Sequence, residues 1–323
     1  MKAWELFYKN VTHNRFVCAR NRIVLAVSGG MDSMCMLHMF WRLKKKINID
    51  LLSVNFNHNL RKESKKEALI VKNFSEKLNI DCILESIDVE GYSKSNNVSI
   101  ETAGRDLRYA SLHKIAEKYN FNKISTAHNA NDNAETVLMW LLRGSGNFSG
   151  IPQERGLSKN VVIIRPLLPI KRDFIEHYVK KHQLPFCTDS SNFTDIYTRN
   201  KIRHSLIPAC EKINSMAVEH IFSLSCIQTR ENHYLNIVSA KFLKKCVKFR
   251  KNQILLDLTM FLRYNEAIRF RILRDILPQK KDNNLCINLI MYKILSLDKS
   301  VYRLSADWVF KIKETNAYFL KGF

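Results

Sequence analysis

No two cysteines in this chain are spaced as Cys-x-x-Cys. The eight that exist, Cys18, Cys35, Cys82, Cys187, Cys210, Cys226, Cys246 and Cys286, stand singly. That pattern excludes a zinc ribbon and, at this length, a disulfide framework. Buried, reduced thiols are expected instead. Long apolar runs are also missing. Val137 to Leu142 is among the longest, and a membrane span needs about 20 such residues. The opening stretch is broken by Glu5, Lys9, His13 and Arg15, so it lacks the apolar core of a secretory signal. A soluble, cytoplasmic protein with no membrane contact is the expectation. Internal repeats and low-complexity tracts are absent too. Glycine is scarce, with nine residues in 323, which gives weight to any place where glycines gather.

Acidic residues are in short supply. There are 30 Asp and Glu against 52 Lys and Arg, for a formal net charge of +22. A basic protein can simply be well solvated, but this excess also suits a polyanionic partner, most simply a nucleic acid. The excess is uneven. It amounts to +9 over residues 1–198 and +13 over residues 199–323, so the last third is the more basic per residue.

Short β-branched runs alternate with helix-like stretches through the first two thirds. Strands are expected at Ile23 to Val27, Leu51 to Phe56, Asp81 to Val89, Lys123 to Ala127 and Val161 to Arg165. Helices are expected at Asp32 to Leu43, Glu63 to Leu78, Glu101 to Tyr119 and Asn131 to Leu142. This alternation predicts an α/β fold with a doubly wound, mainly parallel sheet, whose ligands sit at the carboxyl ends of the strands. After about Pro208 the pattern turns helical, over Cys210 to Val238 and Asn265 to Ile276, with few strand signals. A short hairpin is expected within Arg303 to Leu320. The expected division is a catalytic domain over 1–210 and a smaller, mostly helical, basic domain over 211–323, with the boundary between Ile207 and Met216.

Two of the nine glycines stand in Ser28-Gly29-Gly30-Met31-Asp32-Ser33, between a buried strand and a helix. Glycines permit close backbone approach, successive N–H groups make an anion nest, and the helix start adds positive potential. Ser28 and Ser33 offer hydroxyls. Asp32, being acidic, suits holding Mg²⁺ better than touching phosphate. The plain alternative is a tight turn with a capping side chain. The spacing is neither the dinucleotide fingerprint nor the Walker loop. It resembles the signature of the PP-loop ATP pyrophosphatases. That resemblance implies ATP cleavage between the α- and β-phosphates and transfer of AMP to a substrate oxygen.

Further motifs follow at later strand ends. Asn57-His58-Asn59-Leu60-Arg61 reads as a polar turn or a site lining. Arg105 and Arg108 lie on one helical face, either to clamp phosphates or to meet solvent. His128-Asn129-Ala130-Asn131-Asp132-Asn133-Ala134-Glu135 leads into a helix. Its Asp132 and Glu135 share a face, where they complement the helix dipole or receive an ammonium group. Arg143-Gly144-Ser145-Gly146-Asn147-Phe148-Ser149-Gly150 is the densest glycine cluster, a lid or a plain connection. Arg165-Pro166-Leu167-Leu168, Asp189-Ser190-Ser191-Asn192 and Arg199-Asn200-Lys201-Ile202-Arg203-His204 complete the series, the last as phosphate contacts or a solvated basic face.

In this order the motifs resemble the tRNA(Ile)-lysidine synthase family from Ile23 to about Pro208. The family's second His is Asn129 here, the first of its paired Asp residues is Asn131, and Gly104 replaces an Ala. The resemblance implies the following chemistry. With ATP and Mg²⁺ as cofactors, C2 of the wobble cytidine of a CAU-anticodon tRNA(Ile) is adenylated through its oxygen. Free lysine then displaces AMP, so that the codon AUA is read as isoleucine. It implies that Ser28, Gly29, Gly30, Met31, Asp32 and Ser33 bind the nucleotide and that Asp32 holds the metal. Arg108, Asp132 and Glu135 would join Asp32 in catalysis, while His58, Arg61, Arg105, His128, Arg143, Arg199 and Arg203 would line the substrate site. A homodimer is one assembly this reading admits. Base thiolation, small-molecule amide synthesis and RNA binding without catalysis are its rivals. The missing Cys-x-x-Cys, the basic C-terminal third and the intact loop argue against them in turn.

Overall fold

Apolar residues at alternate positions set the layers of the central sheet. The computed structural model describes residues 2–57, 64–144, 148–187, 198–277, 283–305 and 307–322. The chain forms two compact units, Met1–Met139 with Gly150–Leu224, and Trp140–Ser149 with Ser225–Phe323. Elements of the first part of the chain are α1 (Lys2–His13), β1 (Arg22–Ala26), α2 (Met31–Lys44), β2 (Asp50–Asn57), α3 (Ser64–Lys77), β3 (Asp81–Ser86) and α4 (Val89–Asn96). There follow α5 (Ile100–Lys118), β4 (Lys123–Ser125), α6 (Ala130–Leu142), β5 (Glu154–Gly156), β6 (Val162–Ile164) and α7 (Arg172–Lys181). Then come α8 (Thr198–Lys201), a π-helical turn at Ile202–Leu206, α9 (Ile207–Ile213) and α10 (Ala217–Cys246).

The sheet runs β3-β2-β1-β4-β6-β5. Every neighbouring pair is parallel except β5 with β6 at the edge. β1 lies between β2 and β4, with Ile23 opposite both Leu51 and Lys123. Because side chains alternate along a strand, Ile23, Leu25 and Val27 pack on one face, among Phe7, Phe40, Leu37 and Ile175 of α1, α2 and α7. Val24 points the other way, into a cluster with Ile124, Ile163 and Leu112, Ile115 and Ala116 of α5. Helices thus cover both faces, as a doubly wound sheet requires. Each such fully buried Ile or Leu stabilises the unit by roughly 1.5–3 kcal/mol relative to exposure.

Three local differences from the expected elements have physical causes. The third strand stops at Ser86 rather than Val89, because the Asp88 carboxylate accepts the Gly91 N–H at 2.9 Å and caps α4. The helix expected from Cys210 breaks at Asn214, which adopts an extended backbone and accepts the Met216 N–H through Oδ1 at 2.9 Å. α7 was hidden because its buried residues, Ile175, Tyr178 and Val179, are outnumbered by charged neighbours.

In the second unit, the rest of α10 is followed by β7 (Val247–Arg250), β8 (Gln253–Asp257), α11 (Leu258–Phe261), α12 (Glu266–Ile276), α13 (Asn283–Leu295), β9 (Tyr302–Arg303), β10 (Trp308–Lys313) and β11 (Asn316–Lys321). The expected hairpin is β10 with β11, which pair Ile312 with Ala317. It belongs to a wider antiparallel sheet in the order β7-β8-β11-β10-β9. β7 escapes a period-two reading because only Val247 of its four residues is buried. Phe310, Phe319 and Leu256 from this sheet pack with Ile272, Leu273, Ile290 and Ile294 of α12 and α13. Among the described residues, no helix is long and apolar enough to cross a membrane.

Candidate active site

The loop leaves the carboxyl end of β1. Gly29 holds φ +90°, a conformation that strains any residue with a Cβ, and a Cβ there would lie 3.4 Å from Val71 Cγ2 of α3. Its carbonyl accepts the Cys187 N–H at 2.9 Å. Gly30 caps α2 with an extended backbone and no side-chain bond to the helix start. Ser33 Oγ donates to the Gly30 carbonyl at 2.8 Å and lies 3.2 Å from Ser28 Oγ, which accepts the Gly30 N–H at 3.4 Å. Both hydroxyls are therefore held at the mouth of α2. Its first N–H groups lack a side-chain cap, an arrangement that favours an anion. The Met31 side chain packs against the core below, so Met31 serves the loop through its backbone.

Asp32, in the first turn of α2, is the charged member of this loop. Its pKa is raised from 3.8 to about 6: burial and then the Asp132 charge lift it, while Arg172, a hydrogen bond from Asn129 and Arg203 pull it down. Its Oδ1 is buried with no hydrogen-bond partner among the described residues. An orphaned carboxylate oxygen beside a second carboxylate, at the mouth of an anion nest, fits a hard divalent cation. Mg²⁺ is commonly held by one or two carboxylates plus substrate phosphates. Among the described residues, no group of three or more His, Cys, Asp or Glu could hold a metal by protein ligands alone.

The facing wall is the start of α6. Asn129 and Asp132 cap it reciprocally: Asp132 N–H donates to Asn129 Oδ1, and Asn129 N–H to Asp132 Oδ2, each at 3.0 Å. Asn131 Oδ1 accepts the Arg172 N–H at 3.0 Å and so ties α6 to α7. The two asparagines that depart from the resembled pattern thus both have structural partners. Glu135, 1% exposed, receives Arg199 Nε and Arg203 Nε at 2.6 Å each, and Arg203 Nη2 at 3.1 Å. Asp132 is engaged more loosely, with Arg199 Nη2 at 3.5 Å and Arg203 Nη2 at 3.4 Å. Arg199 and Arg203 therefore spend their strongest bonds on carboxylates of their own chain. Lys201 between them is exposed.

Beyond this knot the site is short of negative charge. His128 accepts or donates at 3.0 Å with Thr126 Oγ1. Burial drops its pKa to about 3, helped by Arg165, Arg105, Arg199 and Arg108, so the imidazole is neutral at physiological pH. Arg105 and Arg108, exposed on α5, converge with Arg165 on this histidine. Sequence reasoning gave no role to Arg165 or Arg172. The available signal was a lone arginine directly after the apolar run Val161-Val162-Ile163-Ile164, where a strand end meets the ligand crevice.

Arg143 is exposed just beyond the end of α6, beside Gly144 with φ +66°, and belongs to the second unit. His58 and Arg61 lie outside the described residues, as do the 145–147 part of the glycine cluster and Asp189-Ser190-Ser191-Asn192.

Set beside known proteins, residues 4–210 match the PP-loop domain. Over 212 residues the chain is 42% identical to a tRNA(Ile)-lysidine synthase of Thermosipho africanus, covering 66% of this chain and 49% of that protein. A tRNA(Ile)-lysidine synthase of Clostridium tetani is 34% identical over 301 residues, 92% of this chain and 64% of the relative. The chain thus spans between about half and two thirds of the length of these curated relatives. Among solved structures, the U34-tRNA thiolase NcsA from Methanococcus maripaludis has a TM-score of 0.60 at 16% identity, over 69% of this chain and 76% of that one. At that identity the likeness is one of fold. The family match begins in α1 and ends in α9, and it takes in both the loop after β1 and the carboxylates that face it: the chain belongs to the PP-loop domain family.

Proposed function

We propose that this chain is an ATP-dependent ligase that joins free L-lysine to C2 of the wobble cytidine, position 34, of the CAU-anticodon tRNA(Ile). Residues 1–210 would carry the ATP chemistry and the basic residues 211–323 would engage the tRNA. The observation that carries the reading is the placement of Asp32 and Asp132 together at the anion-binding loop, in a chain similar to two tRNA(Ile)-lysidine synthases. The loop N–H groups, Ser28 and Ser33 hold the departing pyrophosphate. Mg²⁺ on Asp32 would neutralise charge on the phosphates. Arg108 faces the α-phosphate, and neutral His128 offers a hydrogen bond without adding charge. AMP passes to the base oxygen and pyrophosphate leaves; lysine then attacks C2 and AMP leaves.

Lysine arrives with a side-chain pKa of about 10.4 and must shed a proton before it attacks. Asp132 is the carboxylate assigned to its ammonium, since its own arginine contacts are long. Glu135 keeps Arg199 and Arg203 in place beside it. With α-labelled ATP, a CAU-anticodon tRNA and labelled lysine, the expected result is lysine in the tRNA with release of AMP. Binding of tRNA without AMP release would refute the reading. Asp132→Ala is expected to slow lysine transfer by about 10²-fold or more, the range of a lost general base. Adenylation, read as pyrophosphate release without lysine, should fall far less. Equal loss in both steps would remove Asp132 from that role.

A further inference from the structure

Arg165 is a buried guanidinium without a counterion among the described residues. It is 1% exposed. Its Nη1 donates to the Pro152 carbonyl at 2.6 Å and its Nη2 to the Tyr109 hydroxyl at 3.5 Å. Its Nε is buried with no partner among the described residues. The Tyr109 ring gathers two more cations, Arg105 of α5 at 5.3 Å and Arg155 of β5 at 4.9 Å from the ring centroid. None of the ion pairs among the described residues involves Arg105, Arg155 or Arg165, in contrast to Arg199 and Arg203 on Glu135. Burial holds the Arg165 pKa below its usual value, yet an arginine stays charged in proteins.

Three like charges around one ring repel one another. Cation–π contacts return only about 0.5–2 kcal/mol each. The missing partner is an anion, and guanidinium forks match phosphate oxygens. That phosphate is not one already seated on the loop after β1. β5 lies three strands from β1, about 14 Å at a spacing of roughly 4.8 Å. β5 is the sheet edge, and both Arg155 and Arg105 are exposed there. A phosphate reaching them comes from a chain passing along that edge.

We propose that Tyr109, Arg105, Arg155 and Arg165 form a seat for a backbone phosphate of the bound RNA, separate from the nucleotide's phosphates. The identity of the RNA rests on the function proposed above; the phosphate chemistry does not. The test uses Arg155→Gln and Arg155→Lys in the full chain, because an exposed edge-strand side chain can be changed without opening the core. RNA affinity is measured between about 50 and 200 mM salt, with the CAU-anticodon tRNA and with an unrelated single-stranded RNA. ATP affinity is measured without RNA.

Arg155→Gln is expected to weaken both RNAs about fivefold, to lower the salt slope by about one, and to leave ATP affinity unchanged. Arg155→Lys restores most of the slope, because it restores the charge. An unchanged slope in Arg155→Gln overturns the seat, as does a wild-type chain that binds neither RNA. A parallel loss of ATP affinity overturns it in favour of a nucleotide phosphate. A wild-type chain that binds RNA but incorporates no lysine refutes the proposed reaction and leaves the slope comparison decisive for the seat.

Discussion

Asp32→Asn is expected to slow ATP cleavage by about 10²–10³-fold and, at the same time, to make the protein more resistant to heat above neutral pH. The first effect follows from the place of the carboxylate, whose orphaned Oδ1 lies at the mouth of the loop. Losing one fixed electrostatic stabiliser of a departing pyrophosphate costs on the order of 10²–10³ in rate. The second follows from burial. In the fold the carboxyl keeps its proton up to about pH 6, against a reference of 3.8. Between those values the native state holds more protons than the unfolded chain, so stability falls as pH rises. The stability of the protonated form is fully present below about pH 4 and is lost as pH passes through about 6, a span worth roughly 3 kcal/mol at most. Asn has no proton to lose. Thermal unfolding in chelator at about pH 4 and about pH 8 should show variant and wild type converging in acid and diverging in base. Retained pyrophosphate release, or a stability gap independent of pH, would count against this account of Asp32.

The loop was legible because its demands are local. Gly29 must take φ +90° and Gly30 must open a helix, and nothing remote changes either requirement. The β-α alternation was legible for the same reason, since the period-two faces of β1 meet helices that follow directly in the chain. What escaped was set by partners far apart in sequence. Asp132 and Glu135 look alike on one helical face, and only Arg199 and Arg203, more than sixty residues on, separate a loosely held carboxylate from a fully engaged one. Arg199 and Arg203 themselves resemble surface phosphate contacts until those acids are found beneath them. Arg165 was visible as a motif but not as a charge, because its burial depends on Tyr109 and Pro152. The Asn129–Asp132 capping pair, in contrast, was within reach, since it needs only a three-residue spacing at a helix start.

Glu135→Ala is the substitution expected to cost the most stability. It removes a carboxylate that is 1% exposed and leaves two guanidiniums facing each other, with only the longer contacts to Asp132 at 3.4 and 3.5 Å. Breaking a buried ionic knot from one side costs about 3–5 kcal/mol. Arg199 and Arg203 keep side-chain exposures of 35% and 23%, so water recovers part of that and about 3 kcal/mol is expected. In a unit of this size such a loss lowers Tm by roughly 6–12 °C. Glu135→Gln should fall between, because it keeps an acceptor for one Nε but no charge. The sharper comparison is the triple variant Glu135→Met, Arg199→Met, Arg203→Met. Apolar replacement of a whole buried ionic group is often neutral or stabilising, so its Tm should return toward that of wild type. Lysine transfer should not return with it, since Asp132 would have lost the cations that fix its position. Recovery of both together would mean that the arginines serve the fold alone. A Glu135→Ala protein as stable as wild type would instead mean that its oxygens are free for an incoming ammonium.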